Sequence, residues 1–210
     1  RLGWAASRFA LLTDLALLGI GGRLKARGNL AGRYADVLSW LYLGTATLRR
    51  FEAEGCRAED LPLVRWALEY MLEQVQQAFE GIYANFDVPI LGVLLRGPGR
   101  WWLRVNPLGL GVTDRLHAPA ARTIQRPGEQ FQRLMRYVHL PPAQQPGLGC
   151  VLHAFALLAE AAPLRQRIVQ AQKAGKLPRG NPTGQVSQAV AAGILTREEA
   201  DRLTAAEEAR

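Results

Sequence analysis

The chain has 210 residues, of which 49% are hydrophobic and 21% charged, and its formal net charge is +8 at pH 7. This length and composition suit one folded domain with a substantial core and exclude global disorder. Two cysteines, Cys56 and Cys150, are too few for a disulfide framework and indicate a reducing compartment. The predicted location is therefore the cytoplasm.

The first element is an apolar segment from Arg1 to Ile20 that lacks the cleavage pattern of a signal peptide, so we predict a buried helix. Its longest apolar run, Phe9 to Ile20, is shorter than the roughly 20 residues of a membrane span and is interrupted by Asp14. We therefore expect no segment to cross a bilayer. Asp14, if buried, needs a partner, and Arg33 is the predicted one.

Two long segments follow, Asn29 to Glu54 and Asp60 to Phe86, with apolar residues at steps of three and four. This spacing predicts two amphipathic helices, and the short link between them favours antiparallel packing. Asn29 and Asp60 suit helix starts, and Gly55 suits a helix end. The polar face of the second helix is predicted to consist of Arg65, Glu69, Glu73, Gln76, Gln77 and Glu80.

The stretch from Asp87 to Gly111 is rich in proline and glycine, which predicts a break in helical continuity. Four shorter helices are predicted beyond it: Thr113 to Ile124, Gly128 to Val138, Gly149 to Ala161 and Leu164 to Lys173. Leu177 to Gly184 is predicted to be a linker, followed by a short helix from Gln185 to Ala192. Thr196 and Glu199 then form a capping box that opens a final helix ending near Ala209.

Helix-forming residues dominate and alternating β-branched runs are absent, so the predicted fold class is all-α. The expected architecture is a helical bundle built on two long antiparallel helices with shorter peripheral helices. The expected division is a helical domain at residues 1–177 and a linker with a small C-terminal helical element at residues 178–210.

Basic residues are concentrated between Ile90 and Arg136, where eight arginines stand against two carboxylates. Aliphatic side chains and two adjacent tryptophans accompany them, a combination typical of surfaces that touch anionic headgroups and acyl chains. The alternative is that the indoles pack on the core or on a partner subunit and leave the arginines in solvent. The predicted contact residues for a membrane or partner are Leu94, Leu95, Arg96, Arg100, Trp101, Trp102 and Arg104.

Other kinds of site are not supported by residue spacing. The basic excess is almost all arginine, and no zinc-finger spacing, RNA-binding aromatic box or helix-turn-helix is present, so nucleic acid is not an expected partner. Cys150 and His153 share a helical face without a third ligand, so no metal site is predicted. The glycine-rich stretches near Gly21 and Gly109 follow no strand and lack a phosphate-loop lysine, so no nucleotide site is predicted either.

Nine short motifs follow one another along the chain: Asp14 to Leu18, Gly21 to Lys25, Arg33 to Ser39, Leu41 to Leu43, Leu48 to Glu52, Asp60 to Ala67, Ala84 to Phe86, Thr113 to Leu116 and Gly193 to Ala200. In this order they resemble the C-terminal region of the enlarged bacterial (FadE-type) acyl-CoA dehydrogenases of fatty-acid β-oxidation. The similarity is strongest from Asp14 to Phe86 and weakest from Pro141 to Gly184.

The resemblance implies that this region follows a flavoprotein core that holds FAD and carries a catalytic glutamate, and that the chain is part of a longer protein. Glu52, Glu54 and Glu160 match no catalytic motif, so no catalytic or cofactor-binding residue is assigned here. The implied role is dimer packing, membrane association or partner docking. The expected location is cytoplasmic, either free or peripheral on the inner face of the cytoplasmic membrane. The alternative is a self-standing cytosolic helical interaction module with no enzymatic role.

Overall fold

A computed structural model describes residues 1–209, which contain ten α-helices and no β-strand. The predicted all-α fold class is confirmed. The helices are α1 (Leu2–Gly19), α2 (Gly28–Ala53), α3 (Leu61–Asn85), α4 (Leu91–Leu94), α5 (Arg100–Val105), α6 (Asp114–Ile124), α7 (Glu129–Met135), α8 (Leu148–Lys173), α9 (Val186–Ala191) and α10 (Arg197–Glu208).

The chain divides into two compact units, unit 1 at Arg1–Thr123 and unit 2 at Ile124–Arg210. The boundary expected from the sequence, between residues 177 and 178, therefore falls inside unit 2. Leu177 is 6% exposed and belongs to the same hydrophobic cluster as Ala161 and Leu195. Residue 177 stays a prediction for the end of the helical domain and the start of the C-terminal element.

Unit 1 is built on α2 and α3, the two long helices that the periodicity predicted, with α1 packed against them. Val37, Val75, Phe79 and Ile82 are fully buried between them. Each such side chain contributes roughly 1.5–3 kcal/mol relative to remaining in solvent. The core of unit 1 lies along α2 and α3, and the other elements of unit 1 pack against this core.

A tyrosine hydroxyl links α1 to α2 inside this core. Tyr34 is 8% exposed, and its hydroxyl donates to the carbonyl oxygen of Leu12 at 2.9 Å. Burial raises the pKa of Tyr34 to about 12, and burial also raises the pKa of Tyr83. Both phenols therefore stay neutral at ordinary pH. The neutral Tyr34 hydroxyl can donate its hydrogen bond to Leu12 inside the core.

Two details of unit 1 differ from the sequence-based expectations. Asp14 is exposed, and Arg33 donates instead to the carbonyl oxygen of Asn29 at 3.4 Å, so the predicted Asp14 to Arg33 pair was wrong because the carboxylate was never buried. Gln76, expected on the polar face of α3, is only 6% exposed. Amphipathic periodicity cannot distinguish a polar side chain in solvent from one that is paired inside the protein.

Unit 2 has its own core, formed where α8 packs against α10 and the short helices before it. The expected break between two helices near Ala161 was wrong, because α8 continues through Pro163. Proline removes one backbone donor, but Pro163 is exposed and the apolar face on either side stays packed through Ala161 and Ile168. Tertiary packing therefore outweighs the local cost.

The last helix of unit 2 begins as predicted. The Thr196 hydroxyl accepts from the Glu199 backbone N–H at 3.2 Å, and the Glu199 carboxylate accepts from the Thr196 N–H at 2.9 Å. Arg167 of α8 also pairs with Glu199 at 2.6 Å. The hydrogen bond from Thr196, together with Arg167, lowers the pKa of Glu199.

Two helices, Leu2–Gly19 and Leu148–Lys173, are long and apolar enough to cross a membrane by length and composition alone. α1 supplies Ala5, Leu12 and Ala16 to the core of unit 1, and α8 supplies Ala161, Ile168 and Ala171 to the core of unit 2. Core helices pass the same test, so this observation is weak evidence for a span. The expectation that no segment crosses a bilayer stays a prediction.

Candidate functional site

The tryptophan-rich segment is helical rather than broken. α4 runs into a π-helical turn at Leu95–Gly99 and then into α5, so helical structure extends from residue 91 to residue 105. Pro98 lies in the π-helical turn and has no N–H to donate, which explains why the regular hydrogen-bond ladder gives way there. The break in helical continuity predicted for Asp87 to Gly111 was therefore wrong over this segment.

The N-terminal end of this segment docks on the core at two close approaches. A Cβ on Gly92 would collide with the carbonyl oxygen of Phe86, so only glycine fits. The side chain of Val88 lies 2.9 Å from the position that a Cβ on Gly19 would occupy. Leu91 and Leu95 pack against the core cluster of unit 1. The start of the segment is thus fixed against both α3 and α1.

The C-terminal end is held by Leu103 and Gln76. Leu103 is fully buried, and its carbonyl oxygen accepts from the Gln76 Nε2 at 3.2 Å. The Gln76 Oε1 in turn accepts from the backbone N–H of Leu108 at 3.1 Å. Gly109 lies directly on α3, where a Cβ would be 2.5 Å from the backbone nitrogen of Glu73. Sequence reasoning missed Gln76 because nothing in its spacing marks it as buried.

Anchoring at both ends leaves the middle of the segment facing solvent. Trp101 is 64% exposed, Trp102 is 55% exposed and Leu94 is 53% exposed. The two indoles therefore do not pack into the core of unit 1. The exposure of the indoles excludes their packing on the core of unit 1. Contact with a membrane and contact with a partner subunit both stay open.

The remaining predicted contact residues divide into exposed and docked side chains. Arg96 and Arg104 are exposed, and the Arg96 Nε donates to the carbonyl oxygen of Gly92 at 3.1 Å. Leu95 is partly buried against the core and is a docking residue rather than a surface contact. Arg100 is partly buried, and its Nε has no hydrogen-bond partner among the described residues. Five of the seven predicted residues, Leu94, Arg96, Trp101, Trp102 and Arg104, thus form an outward surface.

We call this surface the tryptophan surface and define it by its exposed members. Neighbouring apolar side chains enlarge it, since Ile90, Val93 and Val105 are 79%, 65% and 59% exposed. Residues 88–113 contain three arginines and no carboxylate. The tryptophan surface consists of Ile90, Val93, Leu94, Arg96, Trp101, Trp102, Arg104 and Val105.

The basic stretch predicted from Ile90 to Arg136 does not belong to one compact unit. Five of its eight arginines lie in unit 1, and the last three, Arg126, Arg133 and Arg136, lie in unit 2. Arg133 is near Glu129 in the same helix, at 3.9 Å. Unit 1 itself therefore holds five of the eight arginines.

The described residues offer no constellation for metal or dinucleotide chemistry. Among residues 1–209, no group of three or more His, Cys, Asp or Glu side chains is placed to hold a metal ion. The glycines near Gly21 follow α1, and those near Gly109 follow α5, whereas a dinucleotide turn follows a strand. These residues do not fit a flavin dinucleotide.

Taken together, the described residues form an all-α fold whose tryptophan surface exposes apolar and basic side chains. The whole chain, residues 1–210, matches the family described as acyl-CoA dehydrogenase, C-terminal, bacterial type. The chain therefore belongs to the C-terminal domain family of the bacterial acyl-CoA dehydrogenases, as the motif resemblance predicted. No solved structure matches it.

Proposed function

We propose that this domain attaches a FAD-dependent acyl-CoA dehydrogenase of fatty-acid β-oxidation to an anionic membrane through the tryptophan surface. The family match supports the enzyme class, and the word C-terminal in its description supports a position of the domain after the rest of the enzyme. FAD and the catalytic base then belong to the flavoprotein core of the same polypeptide. The protein is cytoplasmic and bound peripherally on the inner face of the cytoplasmic membrane.

The exposure of Trp101 and Trp102 beside Arg96 and Arg104 is the observation that carries this proposal. Indole rings prefer the boundary between headgroups and acyl chains, where the ring is in an apolar region and the N–H meets water. Arginine stems can lie on the apolar region while the guanidinium reaches a phosphate. An apolar helical surface bordered by arginines therefore suits the membrane interface.

The physical magnitudes are sufficient for reversible binding. A cation close to an anionic leaflet is worth about 1 kcal/mol, and this attraction weakens within a Debye length of about 8–10 Å in ordinary salt. The absence of carboxylates from residues 88–113 avoids repulsion from the lipid phosphates. We therefore expect binding that requires anionic lipid and decreases as salt is raised.

The test is co-sedimentation of the protein with vesicles of phosphatidylglycerol and phosphatidylcholine, compared with vesicles of phosphatidylcholine alone. Replacing both Trp101 and Trp102 by Ser, or both Arg96 and Arg104 by Gln, should weaken binding. Loss of two cations corresponds to about 2 kcal/mol, or a factor of roughly 30 in the binding constant.

A matched control replaces Arg23 and Arg65, which are exposed elsewhere in unit 1, by Gln. This variant has the same net charge as the Arg96 and Arg104 variant but keeps the tryptophan surface. It should bind nearly as well as the unmodified protein. Equal binding by all variants would contradict the proposal, and equal binding to duplex DNA would show that the arginines act as a general cation surface.

Subunit packing is a second candidate function, and a different surface favours it. On α2, Leu38 is 56% exposed and Tyr42 is 72% exposed, four residues apart on one helix face. The residues at steps of three and four along this face are uncharged from Ala31 to Thr45. This is the spacing with which helices pack in bundles and coiled coils.

An uncharged helix face of this length suits a second copy of the chain or the rest of the enzyme. Replacing Leu38 and Tyr42 by Asn should shift sedimentation from dimer to monomer if the contact joins subunits. The control is Asp36→Asn, an exposed change on another face of α2. An unchanged sedimentation coefficient for the double variant would remove this face as a subunit contact.

A further inference from the structure

A side-chain hydrogen bond joins α6, the last helix of unit 1, to the long helix α3. The Trp66 Nε1 lies 3.0 Å from the His117 Nδ1, and the two ring centroids are 6.0 Å apart at an interplanar angle of 64°. The two residues are 51 positions apart in the chain, and both belong to unit 1. The bond is therefore a tertiary contact that helps to place α6.

The chemistry of the indole determines which form of the imidazole this bond requires. An indole N–H can only donate, so the His117 Nδ1 must accept through its lone pair. The imidazole is therefore neutral, with its proton on Nε2. In an imidazolium both ring nitrogens carry a proton, so the Trp66 N–H would meet a second N–H and the hydrogen bond could not form.

Attraction between a cation and the indole ring does not replace this bond. Because the imidazole is bonded to the Nε1–H, it lies at the edge of the indole, where an aromatic ring carries partial positive charge. One face of the Trp66 indole is covered by Tyr70, which is stacked on it at 5.4 Å. Trp40 of α2 contacts Tyr70 edge-on at 5.7 Å. A protonated His117 is thus repelled from its position.

Apart from this bond, α6 brings little apolar surface to unit 1. Ala120, at 4% exposure, is the one buried residue of α6, and Leu116 is partly buried. A buried methyl group and a hydrogen bond contribute similar free energies. The Trp66 contact is therefore a substantial part of what holds α6 in place.

We propose that the hydrogen bond between Trp66 and His117 is a pH-sensitive latch, which holds α6 on α3 while His117 is neutral and releases α6 when His117 is protonated. Unit 1 ends at Thr123, so the chain passes from α6 into unit 2. The latch therefore controls whether the end of unit 1 is fixed to α3. It acts without any contact with a membrane.

The pH range of the latch follows from the types of residue around it. His117 is the one histidine of unit 1, and histidine ordinarily titrates between about pH 5 and pH 8. The charged residues within four positions of the four clustered rings are Asp36, Arg65, Glu69, Glu73, Asp114 and Arg115. Arg1 joins them by pairing with Glu69 at 3.2 Å. Carboxylates ordinarily titrate near about pH 4 and arginines above about pH 12, so these types of group keep their charge over the range in which histidine titrates.

The test is hydrogen exchange of the whole protein at pH 7.5 and pH 5.5, expressed as protection factors so that the intrinsic effect of pH on exchange is removed. The amides of α6 are compared with those of α3. His117→Asn is the matched control, because the asparagine carbonyl oxygen can accept in place of the Nδ1 and does not titrate. Trp66→Phe removes the donor and keeps an aromatic ring beside Tyr70.

In the unmodified protein, the protection of α6 should fall about five-fold from pH 7.5 to pH 5.5, the factor expected for one lost hydrogen bond, while α3 changes little. Neither variant should show this decline. An α6 that is unprotected at pH 7.5, or equally protected at both pH values, would overturn the proposal. An undiminished decline in either variant would also overturn it, because another group would then be responsible.

A second measurement follows the bond itself. The indole N–H resonance of Trp66, assigned by its loss in Trp66→Phe, should shift with pH at the same midpoint as the ring protons of His117. The indole of Trp101, which is 64% exposed, is the internal control and should not shift over this range. A Trp66 resonance that does not respond to the titration of His117 would contradict the latch.

Discussion

The side chain of Gln76 holds the end of the tryptophan-bearing segment on α3, because its Oε1 accepts from the Leu108 N–H at 3.1 Å while its Nε2 donates to the Leu103 carbonyl oxygen at 3.2 Å. Gln76 is the one buried polar or charged residue among those described. A single amide thus satisfies two backbone groups that water cannot reach.

Gln76→Leu should lower the free energy of unfolding of unit 1 by about 1–3 kcal/mol, because it leaves a buried N–H and a buried carbonyl without partners. All five tryptophans lie in unit 1, so urea unfolding followed by tryptophan emission reports on this unit. Gln77→Leu, one position along on the exposed side, should change the value by less than about 0.5 kcal/mol. Equal losses in the two variants would show that the hydrogen bonds of Gln76 contribute little.

Tyr34→Phe should destabilise unit 1 by about 1 kcal/mol, because the Leu12 carbonyl oxygen loses its hydroxyl donor in the core. The pH dependence has a definite sign. The pKa of Tyr34 is raised from 10.0 to about 12, so its contribution is complete below pH 10 and is lost as the pH rises towards 12.

The measurement is the urea midpoint of both proteins between pH 8 and pH 11.5. The midpoint of the unmodified protein should fall more steeply above pH 10 than that of Tyr34→Phe. Some decline should remain in the variant, because the pKa of Tyr83 is also raised by burial. Parallel curves would contradict a buried, hydrogen-bonded Tyr34.

Gly109→Ala should destabilise unit 1 by about 1–3 kcal/mol, because the new Cβ meets the backbone of α3 at Leu72 and Glu73, which cannot rotate away. Gly3→Ala is the control, since nothing lies within 4 Å of the added methyl group. The control should leave stability unchanged or slightly raised. A tolerated Gly109→Ala would mean that residues 106–111 do not rest on α3.

Glu199→Gln should alter the acid sensitivity of unit 2. The pKa of Glu199 is lowered from 4.5, so its stabilising contribution is present above pH 4.5 and is lost as the pH falls through its folded value. The measurement is the protection of α10 amides from hydrogen exchange between pH 3 and pH 7. This protection should vary less with pH in the variant than in the unmodified protein. A steeper acid decline in Glu199→Gln would reverse the assigned sign.

Much of the secondary structure is determined by local interactions whose residues can be recognised in the sequence. The three-and-four spacing of apolar residues placed α2 and α3 to within a few residues at each end. The capping box at Thr196 and Glu199 is a local hydrogen-bond pattern, and it forms as predicted. The composition of the tryptophan surface, with its arginines and its lack of carboxylates, was also visible in the sequence.

Only the tertiary structure decided which side chains meet solvent. The same polar spacing on α3 placed Gln77 outside and Gln76 inside, since burial depends on the segment that covers α3 and not on the helix itself. Packing likewise carried α8 through Pro163 and turned a proline- and glycine-rich stretch into a helical segment. Periodicity fixes the face of a helix, but what lies against that face depends on contacts between residues distant in the chain, which a local pattern does not encode.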